Sequence, residues 1–385
     1  MLRVRNWVLP VLTGIAMLAV WSLGFLSHAP NRIVPGQPLP LWAVASPAQA
    51  VALAILAVGL LATAFLQSGR KTGLVTGSAL FATLLLILAA AATGSVALAN
   101  PDVPAARTSL GPAFWLILAA LALAFVDLAQ QAGLSTRARL LLAVVVFAPV
   151  VGMAMLGWFD ALSLAREYRA RSDVFAAALQ RHVFLVAATA LIAASLGVPL
   201  GIWATRHPRF RARLFAVLNI VQTVPSIALF GLMIGPLSSL AEAFPWLRTL
   251  GIAGIGTAPA LIALVCYALL PLVRNTVTGL DAVPAATIDA ALGSGMRPGQ
   301  ILLQVSLPLA FPVILAGLRV VIIQTIGLAV VAALIGAGGF GAFVFQGLGQ
   351  NALDLVLLGV IPTILLALAC DTAFSVLAAN GEPQR

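Results

Sequence analysis

Asp289-Ala290-Ala291-Leu292-Gly293-Ser294-Gly295, followed ten residues after that last glycine by Val305-Ser306-Leu307-Pro308, decides how this chain is read. Both blocks fall within 276–308, a connection of roughly thirty residues between apolar runs long enough to cross a bilayer. Connections without a task are usually short. This one is polar, punctuated by glycine and proline, and patterned. Pro284 suits the first turn of a helix, where its absent N–H is not needed. Helical spacing then places Ala285, Ile288, Leu292 and Met296 on one face. Gly295 is a natural stop, and Pro298, just beyond Arg297, blocks continuation. A helix of about ten residues is marginal alone, so its apolar stripe needs a surface: lipid headgroups, or a cytoplasmic partner.

Of the 385 residues, 62% are hydrophobic and 8% charged, with a mean hydropathy of +1.10. A soluble domain carries about 25% charged residues, so the chain is an integral membrane protein. The 33 glycines and 23 prolines are spread along it, as in kinked membrane helices. The net charge of +10 does not point to nucleic acid, because the basic residues lie between apolar runs with few aromatics around them. Cys266 and Cys370 stand alone in apolar stretches and read as small core residues.

Runs long enough to span occur at 7–27, 42–66, 74–99, 112–131, 139–159, 183–204, 214–236, 257–274, 309–335 and 353–378. The chain is therefore expected to be all-α, with about ten transmembrane helices. The first run follows Met1-Leu2-Arg3-Val4-Arg5 and reads as a membrane helix rather than a cleaved leader. With both termini cytoplasmic, 14 of the 21 basic residues, among them Arg3, Arg5, Lys71, Arg211, Arg274, Arg297 and Arg385, fall inside and seven outside. The expected organisation is a five-helix extension over 1–159, a partly helical, arginine-bearing external linker over 160–181, a five-helix block over 182–377 and a cytoplasmic tail over 378–385.

The C-terminal block carries a resemblance. Asp289-Ala290-Ala291, then three residues, Gly295, nine residues and Val305-x-Leu307-Pro308 resemble the EAA loop of type I ABC import permeases, with Asp for Glu and Val for Ile. Four further blocks are similar to osmoprotectant permeases in the same order: Gly197-Val198-Pro199-Leu200-Gly201-Ile202 behind His182-Val183-Phe184; Gln222-Thr223-Val224-Pro225-Ser226; Leu269-Leu270-Pro271-Leu272-Val273-Arg274-Asn275-Thr276; and Ile335-Gly336-Ala337-Gly338-Gly339-Phe340-Gly341. With its extension, the chain is most similar to the larger, YehY-type permeases of glycine betaine uptake systems. The resemblance implies a permease subunit for compatible solutes such as glycine betaine and choline, in the bacterial inner membrane. It implies that Ile288, Asp289, Ala290, Ala291, Leu292, Gly295, Leu307 and Pro308 dock on an ABC ATPase dimer. It also implies a second permease, identical or shorter, and a periplasmic or lipid-anchored binding protein. An amino-acid substrate stays open within the family.

The remaining polar residues are weighed one by one. The chain has no phosphate-binding Gly-x-x-x-x-Gly-Lys loop, and its one lysine is Lys71, so ATP and Mg are expected on the partner ATPase and no cofactor on this chain. His28, His182 and His207 are far apart in sequence, and neither a catalytic nor a metal-ligand spacing occurs. Asn219 and Gln222 share a helix face beside Pro225 and Ser226, and with Gln324 they are candidates to line a translocation path; helix-to-helix hydrogen bonding is the competing reading. Gly336, Gly338, Gly339 and Gly341 read as a flexible external turn near a gate. Trp203 and Phe230 are too few for an aromatic cage and are explained by packing. Asp127 and Asp371, near helix ends, read as partners of arginine or water. An ion-coupled carrier would need intramembrane carboxylates and a repeat, which are not evident; a non-transporting scaffold is the other rival.

Overall fold

The computed structural model describes residues 6–31, 34–66, 69–100, 102–249 and 251–381. Arg3, Arg5, Arg32 and Arg385 of the charge count, and 382–385 of the expected tail, lie outside the described residues. The chain forms two compact units, one of Met1–Ala170 with Gln350–Asp354, the other of Arg171–Gly349 with Leu355–Arg385. The division falls within the expected linker, and residues 172–181 of that linker are helical.

The first unit contains α1 (Val8–Ser22), β1 (Leu26–Ala29), β2 (Gln37–Leu39), α2 (Leu41–Val44), α3 (Pro47–Thr63), α4 (Arg70–Ala97), β3 (Arg107–Leu110), α5 (Pro112–Gln131), α6 (Thr136–Met155) and α7 (Ser163–Ala170). Local chemistry sets several starts. Ser46 and Gln49 form a reciprocal capping box ahead of Pro47, and Ser135 caps α6. Phe25, Leu26, Leu80, Ile87 and Phe114 are the centre of its core. The architecture is helical, as the composition predicts, with one element it does not predict. A three-stranded antiparallel sheet in the order β2–β1–β3 pairs Leu26 with both Leu39 and Leu110. Three- and four-residue strands carry too little periodicity to be read from sequence. Gly111 closes the sheet, since a Cβ there would lie 2.2 Å from the Gly24 carbonyl oxygen.

The second unit contains α8 (Ser172–Arg206), α9 (Pro208–Thr223), α10 (Ser226–Ala243), α11 (Trp246–Thr249), α12 (Thr257–Asp281), α13 (Ala285–Gly293), α14 (Pro298–Ile301), a π turn (Leu302–Ser306), α15 (Leu307–Val331), a 3₁₀ turn (Ala332–Ile335), α16 (Gly341–Gly349) and α17 (Leu353–Gly381). α12 is central, packed between α8 and α15. Glycines let the backbones approach: a Cβ on Gly201 would lie 2.6 Å from Thr276 Cβ, and one on Gly317 2.6 Å from Asn275 Cβ. Asp371 of α17 accepts from Arg319 Nε at 2.7 Å. Among the described residues eight helices are long and apolar enough to span, joined by the shorter apolar α1 and α3.

The expected span 214–236 is two helices. Val224 and Pro225 are extended, with ψ of 129° and 137°, and separate α9 from α10. A residue before proline is driven out of the helical region, so the expected single span is broken in two at Val224 and Pro225.

Candidate functional site

The connection carrying the Asp-Ala-Ala block is shorter than the spacing implies. α12 runs to Asp281 and helix resumes at Pro298, leaving 282–297 with α13 at its centre. Leu307 and Pro308 therefore lie inside a continuous helical segment, Pro298–Ile335, and not in a loop. The π turn makes this possible. Leu307 N–H donates to Leu302 O, five residues back, so the helix is already re-registered where Pro308 brings no donor.

α13 is closed at both ends by backbone. Pro284 O accepts from the N–H groups of Thr287 (3.0 Å) and Ile288 (3.3 Å). At the other end Met296 N–H reaches Ala291 O at 3.2 Å and Gly295 N–H reaches Leu292 O at 2.9 Å, with Gly295 at φ +80°. That left-handed residue is what a Schellman-type stop requires. A Cβ on Gly295 would meet nothing, so the demand for glycine is conformational and not steric.

The expected stripe of Ala285, Ile288, Leu292 and Met296 is divided. Ala291 is buried and Ile288 half-buried, facing the side where α13 packs on α14 and the π turn. Ala285, Asp289 and Leu292 form the outward arc, with Leu292 50% exposed. Spacing defines an arc of a helix but not which arc meets the body of the chain. Ala290 is also exposed.

Beside this loop, Arg211 of α9 pairs with Asp281 at 2.8 Å. Arg211, Phe215, Asn219, Arg274, Val277 and Thr278 enclose a cleft of about 250 Å³, in which Arg274 Nη2 is 3.4 Å from Asn219 Oδ1.

No hydrogen bond joins the candidate path residues to one another among the described residues. Gln222 Nε2 donates to Tyr267 O at 2.6 Å, and Tyr267 Oη donates to Val224 O at 2.5 Å across the break. Pro225 is exposed and Ser226 half-buried at that break. Gln324 is half-buried on α15 with no hydrogen-bond partner among the described residues. Gln222 thus bonds helix to helix, and the three amides do not form one cluster. Trp203 stacks on Phe210 with ring centroids 3.9 Å apart, and Phe230 is buried in the core.

The glycine turn is tied down and not loose. Gly336, Gly338 and Gly339 have φ of 79°, 78° and 77°. Ile335 O accepts from Gly256 N–H at 2.7 Å, and Arg181 Nε donates to Ala337 O at 2.9 Å while its Nη2 bonds Thr257 Oγ1. Gly339 lies against the fully buried His182, whose Nε2 is 3.1 Å from Ile326 O and whose ring packs on Phe340. Gly341 has no room for a side chain, since a Cβ would lie 2.0 Å from Val330 O. Sequence reasoning missed Tyr267 and the anchoring roles of Arg181 and His182. The signal for the last two was an adjacent Arg-His pair at the mouth of an apolar run. Among the described residues no group of His, Cys, Asp and Glu is placed to hold a metal ion.

Two family models match the chain. Residues 4–165 match the N-terminal domain of the ABC transporter permease YehY, and residues 197–383 match the binding-protein-dependent transport system inner membrane component. The osmoprotectant import permease protein OsmW of Salmonella typhimurium is 39% identical over 191 residues, 50% of this chain and 84% of that protein. The carnitine transport permease protein OpuCB of Listeria monocytogenes is 37% identical, over 53% of this chain and 86% of that one. The glycine betaine/carnitine/choline permease protein OpuCD of Bacillus subtilis is 34% identical, over 50% and 77%. A solved structure of the MetNI methionine ABC transporter aligns at 21% identity over 56% of this chain and 99% of that one, with a TM-score of 0.48. The two family models and the identities to the OsmW, OpuCB and OpuCD permeases place this multi-pass membrane chain in the family of osmoprotectant-type ABC import permeases, in the form that carries a YehY N-terminal domain.

Proposed function

We propose that this chain lines the membrane pathway of an ATP-driven importer for compatible solutes of the glycine betaine and choline type. The names of the relatives support that substrate class, since they concern osmoprotectants, carnitine, choline and glycine betaine. ATP and Mg are held by a separate ATPase dimer in the cytoplasm, where both termini of this chain lie. A second permease, identical or shorter, completes the pathway, and a periplasmic or lipid-anchored binding protein delivers the solute.

The observation that carries the coupling is the outward arc of α13. Asp289 supplies a charge and Leu292 an apolar knob, on a helix whose inner face is anchored by Ala291. A short helix with a mixed outward face suits a groove in a partner. Because Pro298–Ile335 is one continuous helical segment, displacement of α13 is passed along it into the membrane. Asn219, Gln222, Pro225, Ser226 and Gln324 then line or shape the pathway, and the Gly336–Gly341 turn anchors its external end.

Reconstitution of the chain with its ATPase and binding protein tests this. Glycine betaine uptake should require ATP, and Leu292→Asp or Asp289→Ala should lower it at least tenfold while the variant remains inserted. Uptake driven by an ion gradient without the ATPase would sink the proposal. Thermal stabilisation of the binding protein by glycine betaine or choline, and not by amino acids, tests the substrate class separately.

A further inference from the structure

The first unit contains an apolar cavity of about 370 Å³ walled by α1, α2, α3, α4 and α5, with Trp21 and Trp42 among its lining residues. Protein interiors leave few voids larger than a single water molecule, and this one holds roughly a dozen water-sized volumes. Its helical wall has two hydroxyls, and both give their proton to the backbone: Thr13 Oγ1 donates to Leu9 O and Thr83 Oγ1 to Ala79 O, each at 2.8 Å. Ordered water needs about two to four polar partners, so the cavity does not retain water. The wall holds no charged side chain, so a solute that needs an ion-pair partner finds none there.

The cavity opens on the outer surface of the unit. Met17, Trp21 and Trp42 in its wall are 51%, 80% and 54% exposed, beside the exposed Val11, Ile15 and Leu18 of α1. For apolar spanning helices that surface faces hydrocarbon. The two indoles lie 5.8 Å apart, and paired tryptophans sit where chain meets headgroup in a bilayer. We propose that this cavity is a binding site for one acyl chain of a membrane phospholipid, entering past Trp21 and Trp42 and seated against Ala16 and Ala57. The inference does not rest on the transport reading.

The test uses purified full-length protein in nanodiscs of phosphatidylethanolamine and phosphatidylglycerol, doped with a phospholipid carrying a diazirine in one acyl chain. After irradiation, label should concentrate on peptides of α1 and α3 at least fivefold over α6, which has no buried residue and reports ordinary annular lipid. Ala57→Trp, which fills the cavity, should cut that label at least fivefold. Val58→Trp, on the 65% exposed face of the same helix, should leave it within twofold. Even labelling of α1, α3 and α6 overturns the proposal, as does label unchanged by Ala57→Trp in monodisperse protein. If Ala57→Trp does not insert, the ratio in the unsubstituted protein decides. Loss of the label with millimolar choline or glycine betaine would make this a solute site. Crosslinks from α1 to a second copy in place of lipid would make it an oligomer contact. Either result overturns the proposal.

Discussion

Gln222 supplies the hydrogen bond that Pro271 takes from Tyr267. In α12 the carbonyl of Tyr267 would accept from the residue four positions on, but that residue is Pro271, which has no N–H. Gln222 Nε2 donates to it at 2.6 Å, and Tyr267 Oη returns a bond to Val224 O at 2.5 Å, where Pro225 breaks the α9–α10 pair. Two proline-made defects in neighbouring helices therefore satisfy each other. In a bilayer such carbonyls must be paired within the protein unless they line a water-filled cavity.

This relationship predicts a rescue. Gln222→Leu leaves the Tyr267 carbonyl unpaired and should cost about 1–3 kcal/mol, read as a lower thermal midpoint in detergent and weaker uptake. Pro271→Ala restores the backbone donor, so adding Gln222→Leu to Pro271→Ala should cost less than half as much. Strict additivity of the two substitutions would show that the bonds are not linked as described.

Gly295 separates conformation from space. A side chain there meets nothing, but φ is +80°, so Gly295→Ala should cost about 1–2 kcal/mol of local stability. Gly295→Asn should cost less, because asparagine tolerates the left-handed region. Uptake should follow the order Gly, Asn, Ala, Val. Equal activity of the Asn and Val variants would argue against a strained stop.

Gly336 and Gly341 should respond differently although they flank one turn. At Gly336 the nearest atom to an added Cβ is 3.8 Å away, so Gly336→Ala carries the backbone cost alone. At Gly341 the obstacle is the Val330 carbonyl oxygen at 2.0 Å, a backbone atom that cannot rotate away. Gly341→Ala should lower the thermal midpoint clearly further than Gly336→Ala. Indistinguishable midpoints would contradict the packing of α16 on the end of α15.

In the first unit, Ser109 Oγ donates to Asp354 Oδ2 at 2.5 Å, and the segment Gln350–Asp354, which follows α16 and includes the first two residues of α17, belongs to that unit. A hydrogen bond to a carboxylate contributes about 1.5–3 kcal/mol. Ser109→Ala should therefore speed hydrogen exchange in residues 350–354 about tenfold or more, with little change in α4 or α5. Unchanged exchange in 350–354 would mean that other groups hold the segment.

Much of this was legible because membrane helices announce themselves. The run 112–131 is α5 to the residue, and Gly295 stands where spacing places a helix stop. The sheet was not legible, since strands as short as Gln37–Leu39 have no measurable period. Nor was the inward role of Ala291, because alanine carries almost no hydrophobic signal and only its neighbours on α14 and the π turn reveal it. The extent of the loop was misjudged for a related reason. Leu302–Ser306 looks like an interruption before Pro308, whereas π hydrogen bonding carries the helix through it.

Sequence alone determined the helical membrane class and the order of the long apolar helices, because those depend on apolar run length, and its motif blocks carried the resemblance to the family. The tertiary structure decided which donor completes which proline-orphaned carbonyl, which arc of α13 is free to meet a partner, and that the glycine turn is clamped by Arg181 and His182. The first and last of those outcomes depend on atoms more than forty residues apart meeting within about 3 Å, the reach of a hydrogen bond, and the second on how neighbouring helices pack; no local pattern in a sequence encodes either.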